Sequence, residues 1–92
     1  MKNLNSVIFY DNLPKLDLHG SDSETAIVMI NDFVNDNRKM KNEVILIVHG
    51  NGSGIIKKVT NETLKRNKFV IEHKIVIGNT GCTVALISID KK

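Results

Sequence analysis

The spacing of hydrophobic and polar residues changes from segment to segment along this chain, and the strand-like spacing occurs in short segments. Apolar and polar residues alternate from Lys15 to His19, which is typical of a short strand, and Pro14 favours an extended entry to it. Residues 44–48 are all apolar, as in a strand that is central or covered on both faces. Two more runs, 69–77 and 82–89, flank a four-residue segment, 78–81, and predict an antiparallel hairpin.

Helical periodicity separates the first three of these strands. The spacing predicts a helix from about Ser21 to Met40, with Ser21 as its N-cap because Glu24 stands at capping-box spacing. A second helix is predicted from about Ser53 to Asn67. The apolar stripes that would pack on the sheet are Ala26, Ile27, Ile30, Phe33 and Val34 in the first helix, and Ile56, Val59 and Leu64 in the second.

The predicted order βαβαββ indicates an α/β fold. Right-handed crossovers would make the first three strands parallel, and helices on one face would give a two-layer sandwich with a four-stranded mixed sheet. Ligands of such sheets bind at the carboxyl ends of the parallel strands. The site should therefore lie just after the first two strands.

Composition narrows the class of protein without naming a function. The 92 residues, 41% hydrophobic and 25% charged, are enough for one small folded domain. A single cysteine, Cys82, excludes an internal disulfide and fits a reducing cytoplasm; we expect it to be a small buried hydrophobe. No apolar run approaches the roughly 20 residues that span a bilayer, so we expect no membrane partner. The net charge of +3 is compatible with nucleic acid but does not require it.

Two motifs follow the first two predicted strands: Leu16-Asp17-Leu18-His19-Gly20 and His49-Gly50-Asn51-Gly52-Ser53-Gly54. Each opens a helix, whose N-terminus attracts anions through unpaired N–H groups and its partial positive charge. The second motif has neither the dinucleotide-binding nor the Walker spacing, so we exclude NAD and ATP. Candidate catalytic residues are Asp17, His19 and His49, and candidate nucleic-acid or phosphate ligands are Gly20, Gly50, Asn51, Gly52, Ser53, Gly54 and Lys57.

The same residues allow purely structural roles. A histidine that ends a strand can simply bond a loop carbonyl, the glycines can serve only the strand-to-helix turn, and Asp17 can pair with a lysine. His73 is interpreted as a partly exposed sheet residue rather than a ligand. No cluster has clear metal-ligand spacing, so the sequence leaves a divalent metal requirement open and assigns no cofactor.

The motifs LDLHG and VILIVHGNGSG-IIKK, with a terminal GNTGCTVALI, resemble the Smr (small MutS-related) domain family over about residues 14–89. The resemblance implies a domain at 14–92 after an N-terminal extension, 1–13, with a fold like the C-terminal domain of translation initiation factor three. It also implies nucleic-acid binding, for some members at the ribosome, and for many members endonuclease activity on DNA or RNA. Lys57, Gly81 and Thr83 match family positions, whereas Gly78-Asn79-Thr80 has less glycine than the family usually has there.

Three functions are compatible with the sequence. The first is a nucleic-acid endonuclease of the stand-alone bacterial type. The second is a non-catalytic module that binds nucleic acid or the ribosome, and the third is a binder of small phosphate compounds. We expect a cytoplasmic monomer, and the residues do not distinguish DNA from RNA.

Overall fold

The computed structural model describes residues 12–52, 54–76 and 78–89, and within them six elements follow the predicted order. The strands are β1 (Lys15–Asp17), β2 (Val44–Val48), β3 (Val70–Val76) and β4 (Asn79–Ile87), and the helices are α1 (Ser23–Lys39) and α2 (Ile55–Arg66). Part of the extension at 1–13, and the site residue Ser53, lie outside the described residues.

The four strands form one mixed sheet in the order β1-β2-β4-β3. β1 and β2 are parallel neighbours, with Asp17 beside Val48, and β4 is antiparallel to both β2 and β3. β3 therefore runs in the same direction as β1 and β2, as predicted, but β4 lies between β2 and β3. This order places the start of β4 next to the end of β2.

Both helices pack on one face of the sheet. The core there joins α1 and α2 to alternate residues of β2 and β4; its fully buried members include Ile30, Val34, Ile45, Leu64 and Ile87. Burial of this apolar surface is the main favourable term for folding. Ile27 was expected in the stripe but is 41% exposed, whereas the polar Asn37 is fully buried. Asn37 is accommodated because its amide donates to the Phe33 carbonyl and its carbonyl oxygen accepts from the Asn42 side chain.

A second apolar cluster lies on the other face of the sheet. Val44, Leu46, Val84 and Leu86 belong to it, and Leu13 packs against it from just before β1. β2 is thus buried on both faces, as its continuous apolar run predicts. Cys82 also belongs to this cluster and is 6% exposed, which confirms its interpretation as a small buried side chain. Burial raises the pKa of its thiol.

Several element boundaries differ from the predictions. The N-cap of α1 is Asp22 rather than Ser21, because the Asp22 carboxylate accepts the N–H of Thr25 at 2.8 Å. α2 begins at Ile55, after a left-handed Gly54, instead of at about Ser53. β4 begins at Asn79, so residues 79–81 belong to the strand, and the register of the hairpin shifts between Ile75 and Val76.

Candidate nucleic-acid site at the sheet edge

The two motifs meet at one edge of the sheet, where β1 and β2 end side by side. Asp17 pairs with Val48, and the N–H of Leu18 donates to the Val48 carbonyl at 2.9 Å. His49 and the glycine loop, 50–54, follow Val48 directly. The predicted convergence of the motifs at this edge is therefore observed.

Asp17 and His19 form an exposed turn after β1. The Asp17 carboxylate accepts the backbone N–H of His19 at 2.9 Å, which ends the strand at Asp17 instead of at His19. Aspartate commonly makes this bond to the backbone of the residue two positions later, in an Asx turn. The carboxylate thus orients the backbone of His19, and both residues are exposed at the edge.

His49, in contrast, is buried and bonded at both ring nitrogens. It is 8% exposed, with Nδ1 3.0 Å from the Gly50 carbonyl oxygen and Nε2 2.8 Å from the Thr83 hydroxyl. A carbonyl only accepts, so Nδ1 carries the proton and, in the neutral ring, Nε2 accepts from Thr83. Burial lowers the pKa of His49, and the charge of nearby Lys57 lowers it further, against the opposing bond to Gly50. The ring is therefore neutral near pH 7.

The glycine loop is fastened to the start of β4. The carbonyl of Gly81 accepts the N–H groups of both His49 and Gly50, each at 2.9 Å. The Thr80 hydroxyl donates to the side chain of Asn51 at 3.0 Å. A Cβ on Gly81 would lie 3.4 Å from the Gly50 Cα, so the two backbones pass closely there. Because the Gly50 N–H is used internally, a phosphate would have to meet the loop beyond Gly50.

The two helix starts differ in how well they suit an anion. At α1 the Asp22 carboxylate occupies the N-terminus, and the hydrogen bonds from Thr25 lower the pKa of this acid. At α2 the N-cap is Gly54, and the first turn contains Lys57 and Lys58 but no acid. The expectation that both helices stabilise one anion therefore fits α2 better than α1.

The predicted glycines fall into two groups by backbone conformation. Gly20, Gly50 and Gly54 have positive φ, at 81°, 76° and 87°, whereas Gly52 does not. The first three are needed for the turns themselves, whereas the position of Gly52 would accept a side chain, since it lacks a positive φ and nothing lies within 4 Å of its Cβ position. Of the two roles that the sequence left open, the turn-forming role is thus observed at Gly20, Gly50 and Gly54.

The motif analysis did not assign a role to the start of β4. Thr80, Gly81 and Thr83 hold the glycine loop through the bonds above, although they follow it by about thirty positions. The signal in the sequence was GNTGCT, a polar and glycine-rich segment immediately before an apolar strand. Its partner could not be identified until the order β2-β4 was known.

Within residues 12–52, 54–76 and 78–89, no three His, Cys, Asp or Glu side chains are grouped closely enough to hold a metal ion. A groove of about 180 Å³ lies between α1 and α2, lined by residues such as Ile27, Val59 and Arg66. None of the predicted site residues lines this groove.

Comparison with known proteins agrees with this arrangement of motifs. The Smr domain family model matches residues 16–88. The endonuclease MutS2 of Clostridium perfringens is 32% identical over 77 residues, and that of Helicobacter pylori is 37% identical over 73 residues. These matches cover 80% and 76% of this chain but only 10% of each relative. The chain thus spans about a tenth of the length of these MutS2 proteins.

Two solved structures share the fold. The Smr domain of Thermus thermophilus MutS2 superimposes with a TM-score of 0.79 at 23% identity, covering 82% of this chain and 98% of that one. YdaL, a stand-alone small MutS-related protein from Escherichia coli, gives 0.78 at 18% identity, covering 87% and 68%. With the family match over most of its length, its two motifs and this fold, the chain belongs to the Smr domain family.

Proposed function

We propose that this protein is a nucleic-acid-binding Smr domain that cleaves phosphodiester bonds in DNA or RNA. The observation that supports it most is the exposed turn formed by Asp17 and His19, which lies beside the end of β2, where the glycine loop begins. Cleavage of a phosphodiester uses acid–base groups that can reach the substrate, and a helix N-terminus stabilises the negative charge of the phosphate.

Each group has a distinct role in this proposal. Cleavage forms a bond from phosphorus to an attacking hydroxyl, of water or of the RNA 2′-position, and breaks the bond to the leaving oxygen. His19 takes the proton of the attacking hydroxyl or gives one to the leaving oxygen, since a positioned imidazole can act as general base or general acid. Asp17 fixes the backbone of His19 and with it the position of the ring. Lys57 and the N-terminus of α2 compensate the negative charge that builds up on the phosphorus oxygens.

The relatives support an endonuclease without deciding it for this chain. The matched proteins from C. perfringens and H. pylori are named endonuclease MutS2, but the shared part is a tenth of their length. YdaL is described as a stand-alone member, so an Smr domain also occurs outside MutS2. Cleavage by the domain alone is therefore the point to test.

A second function, a non-catalytic module that binds nucleic acid or the ribosome, is favoured by the burial of His49. Cleavage without a metal needs both a proton acceptor and a proton donor. With both ring nitrogens of His49 bonded internally, His19 is the one exposed imidazole among the three histidines, all of which the structure describes. A site with one exposed imidazole suits binding as well as catalysis.

The test compares the wild-type protein with His19→Gln on end-labelled single-stranded RNA and on supercoiled plasmid, in EDTA and in Mg²⁺. His73→Gln is the matched control, because His73 is a half-buried residue of β3, at the opposite edge of the sheet. We expect the wild type and the control to cleave, and His19→Gln to bind with similar affinity but to lose cleavage.

The possible results separate the two functions. Binding without cleavage by the wild type would replace the nuclease with the binding module. Equal cleavage by His19→Gln would remove this residue from the chemistry. Absence of both binding and cleavage on either substrate would contradict the proposal altogether.

A further inference from the structure

We propose that Thr83 is a positioning residue of this site: its hydroxyl holds the glycine loop in place through the ring of His49. For what the loop binds, the inference rests on the proposed function. The hydrogen-bond chain itself stands independently of that function. No substrate contact is assigned to Thr83, which is fully buried.

The chain of bonds has a defined direction. Thr83 Oγ1 donates to His49 Nε2 over 2.8 Å, and Nδ1–H donates to the Gly50 carbonyl over 3.0 Å. If the Thr83 hydroxyl were absent, Nε2 would be a buried acceptor without a partner. Such a group costs free energy, and the ring could lower that cost only by turning or by changing tautomer. Either change breaks the bond to Gly50.

The position of Thr83 in the sheet explains why it can control the loop. Thr83 on β4 pairs with Ile47 on β2. Because Ile47 precedes His49 by two positions, the Thr83 hydroxyl is within reach of the His49 ring. The carbonyl of Gly81, on the same strand, holds the N–H groups of His49 and Gly50. Thr83 and Gly81 thus fix the ring, the carbonyl and both amides at the start of the loop.

This arrangement changes the role expected for His49. Its ring is enclosed and bonded on both sides, so it is assigned to the support of the loop rather than to proton exchange with a substrate. The rim of the site that faces the ligand then consists of exposed residues, namely the Asp17–His19 turn together with Asn51 and Gly52. Thr83 acts on that rim only through His49.

Two substitutions separate the hydroxyl of Thr83 from its volume. Thr83→Val keeps the shape of the side chain and removes the hydroxyl, whereas Thr83→Ser keeps the hydroxyl and removes a methyl group. The positioning role predicts a defect in Thr83→Val and near-normal behaviour in Thr83→Ser. A role in packing alone predicts the reverse order.

The first readout is ¹⁵N NMR of the full chain with labelled histidine, followed by the amide spectrum of the glycine loop. We expect the wild-type His49 ring as the neutral Nδ1–H tautomer at pH 7. In Thr83→Val we expect loss of this single tautomer and shifted amide resonances for Gly50, Gly52 and Gly54. Thr83→Ser should retain the wild-type pattern at all of these positions.

The second readout is binding and cleavage of the same RNA and plasmid substrates. Thr83→Val should lower both by roughly tenfold, the effect of leaving one buried acceptor unpaired, while Thr83→Ser stays close to the wild type. A wild-type ring in the Nε2–H tautomer would overturn the proposal even if Thr83→Val did not fold. So would a folded Thr83→Val with an unchanged tautomer and loop spectrum.

The two readouts keep the proposals apart. If the wild type neither binds nor cleaves, the proposed function fails, and the tautomer and loop spectra still decide the role of Thr83. If the wild type cleaves and Thr83→Val cleaves equally well with a disturbed loop, the positioning of the substrate by this loop is refuted while the nuclease stands.

Discussion

At the scale of single residues, the two histidines at this sheet edge differ in what their rings can do. Each precedes a glycine at the end of a strand, but His19 is exposed and His49 is enclosed between Thr83 and Gly50. A ring whose nitrogens are both bonded inside the protein can shape a site without exchanging protons. Burial and bonding partners, rather than residue type, therefore divide the roles.

Gly54 is one of two positions in the glycine loop, with Gly50, where the backbone requires glycine. Its φ of 87° is in the left-handed region, where a residue with a Cβ is strained by roughly 1–2 kcal/mol. We predict that Gly54→Ala lowers the free energy of unfolding by about that amount, because α2 can then begin only with strain. Urea unfolding followed by circular dichroism measures the change.

Gly52→Ala is the matched control for this prediction. Gly52 lies in the same loop, lacks a positive φ, and has no atom within 4 Å of its Cβ position. The same change of side chain should therefore leave stability close to that of the wild type. Equal losses in the two variants would show that the loop, and not the conformation of Gly54, determines the cost.

At the scale of elements, the apolar periods predicted which helices and strands form, and the capping residue determined where α1 begins. The stripes of α1 and α2 and the continuous run of β2 predicted the order of the elements along the chain, because burial of apolar surface dominates their placement. The parallel direction of the first three strands followed from right-handed crossovers. The capping-box spacing favoured Ser21, although the side chain of Asp22 can accept an N–H equally well. The structure decides for Asp22.

The candidate site shows the same division between local and distant information. The Asp17–His19 turn and the glycine loop are local motifs, and their residues identify this edge directly. The bond between His49 and Thr83 joins residues 34 positions apart, so no local period contains it. It required the knowledge that β4, and not β3, lies beside β2. Similarly, the shifted register of the β3–β4 hairpin leaves Ile71 65% exposed despite its place in an apolar run.

The cap of α1 gives a prediction at this scale. Asp22→Ala removes the carboxylate that accepts the Thr25 N–H, so the first turn of α1 loses a partner. We expect the midpoint of thermal unfolding to fall by a few degrees. Ser21→Ala, at the neighbouring position, should have a smaller effect, because among the described residues the Ser21 hydroxyl bonds only to the Met29 sulfur, at 3.6 Å. The opposite ranking, measured by circular dichroism, would restore Ser21 as the cap.

At the scale of the whole molecule, we expect the positions of the basic residues to affect nucleic-acid binding more than the net charge does. The net charge of +3 is modest, but α1 and α2 both begin at the candidate site and carry their last-turn cations to the other end. The 17 residues of α1 place Lys39 about 25 Å from the start of its helix. Lys57, in the first turn of α2, is close enough to His49 to lower its pKa. A nucleic acid bound at this edge should therefore interact with Lys57 and not with Lys39.

This difference can be measured from the salt dependence of binding. On duplex DNA, log affinity falls linearly with log salt concentration, and each phosphate that a lysine neutralises increases the magnitude of this slope by about 0.9. We predict that Lys57→Gln weakens binding of a labelled oligonucleotide and reduces that slope by about one, whereas Lys39→Gln, with the same loss of charge, changes neither. Equal effects of the two substitutions would mean that nucleic acid responds to the overall charge of the protein. That result would contradict the sheet edge as the binding site.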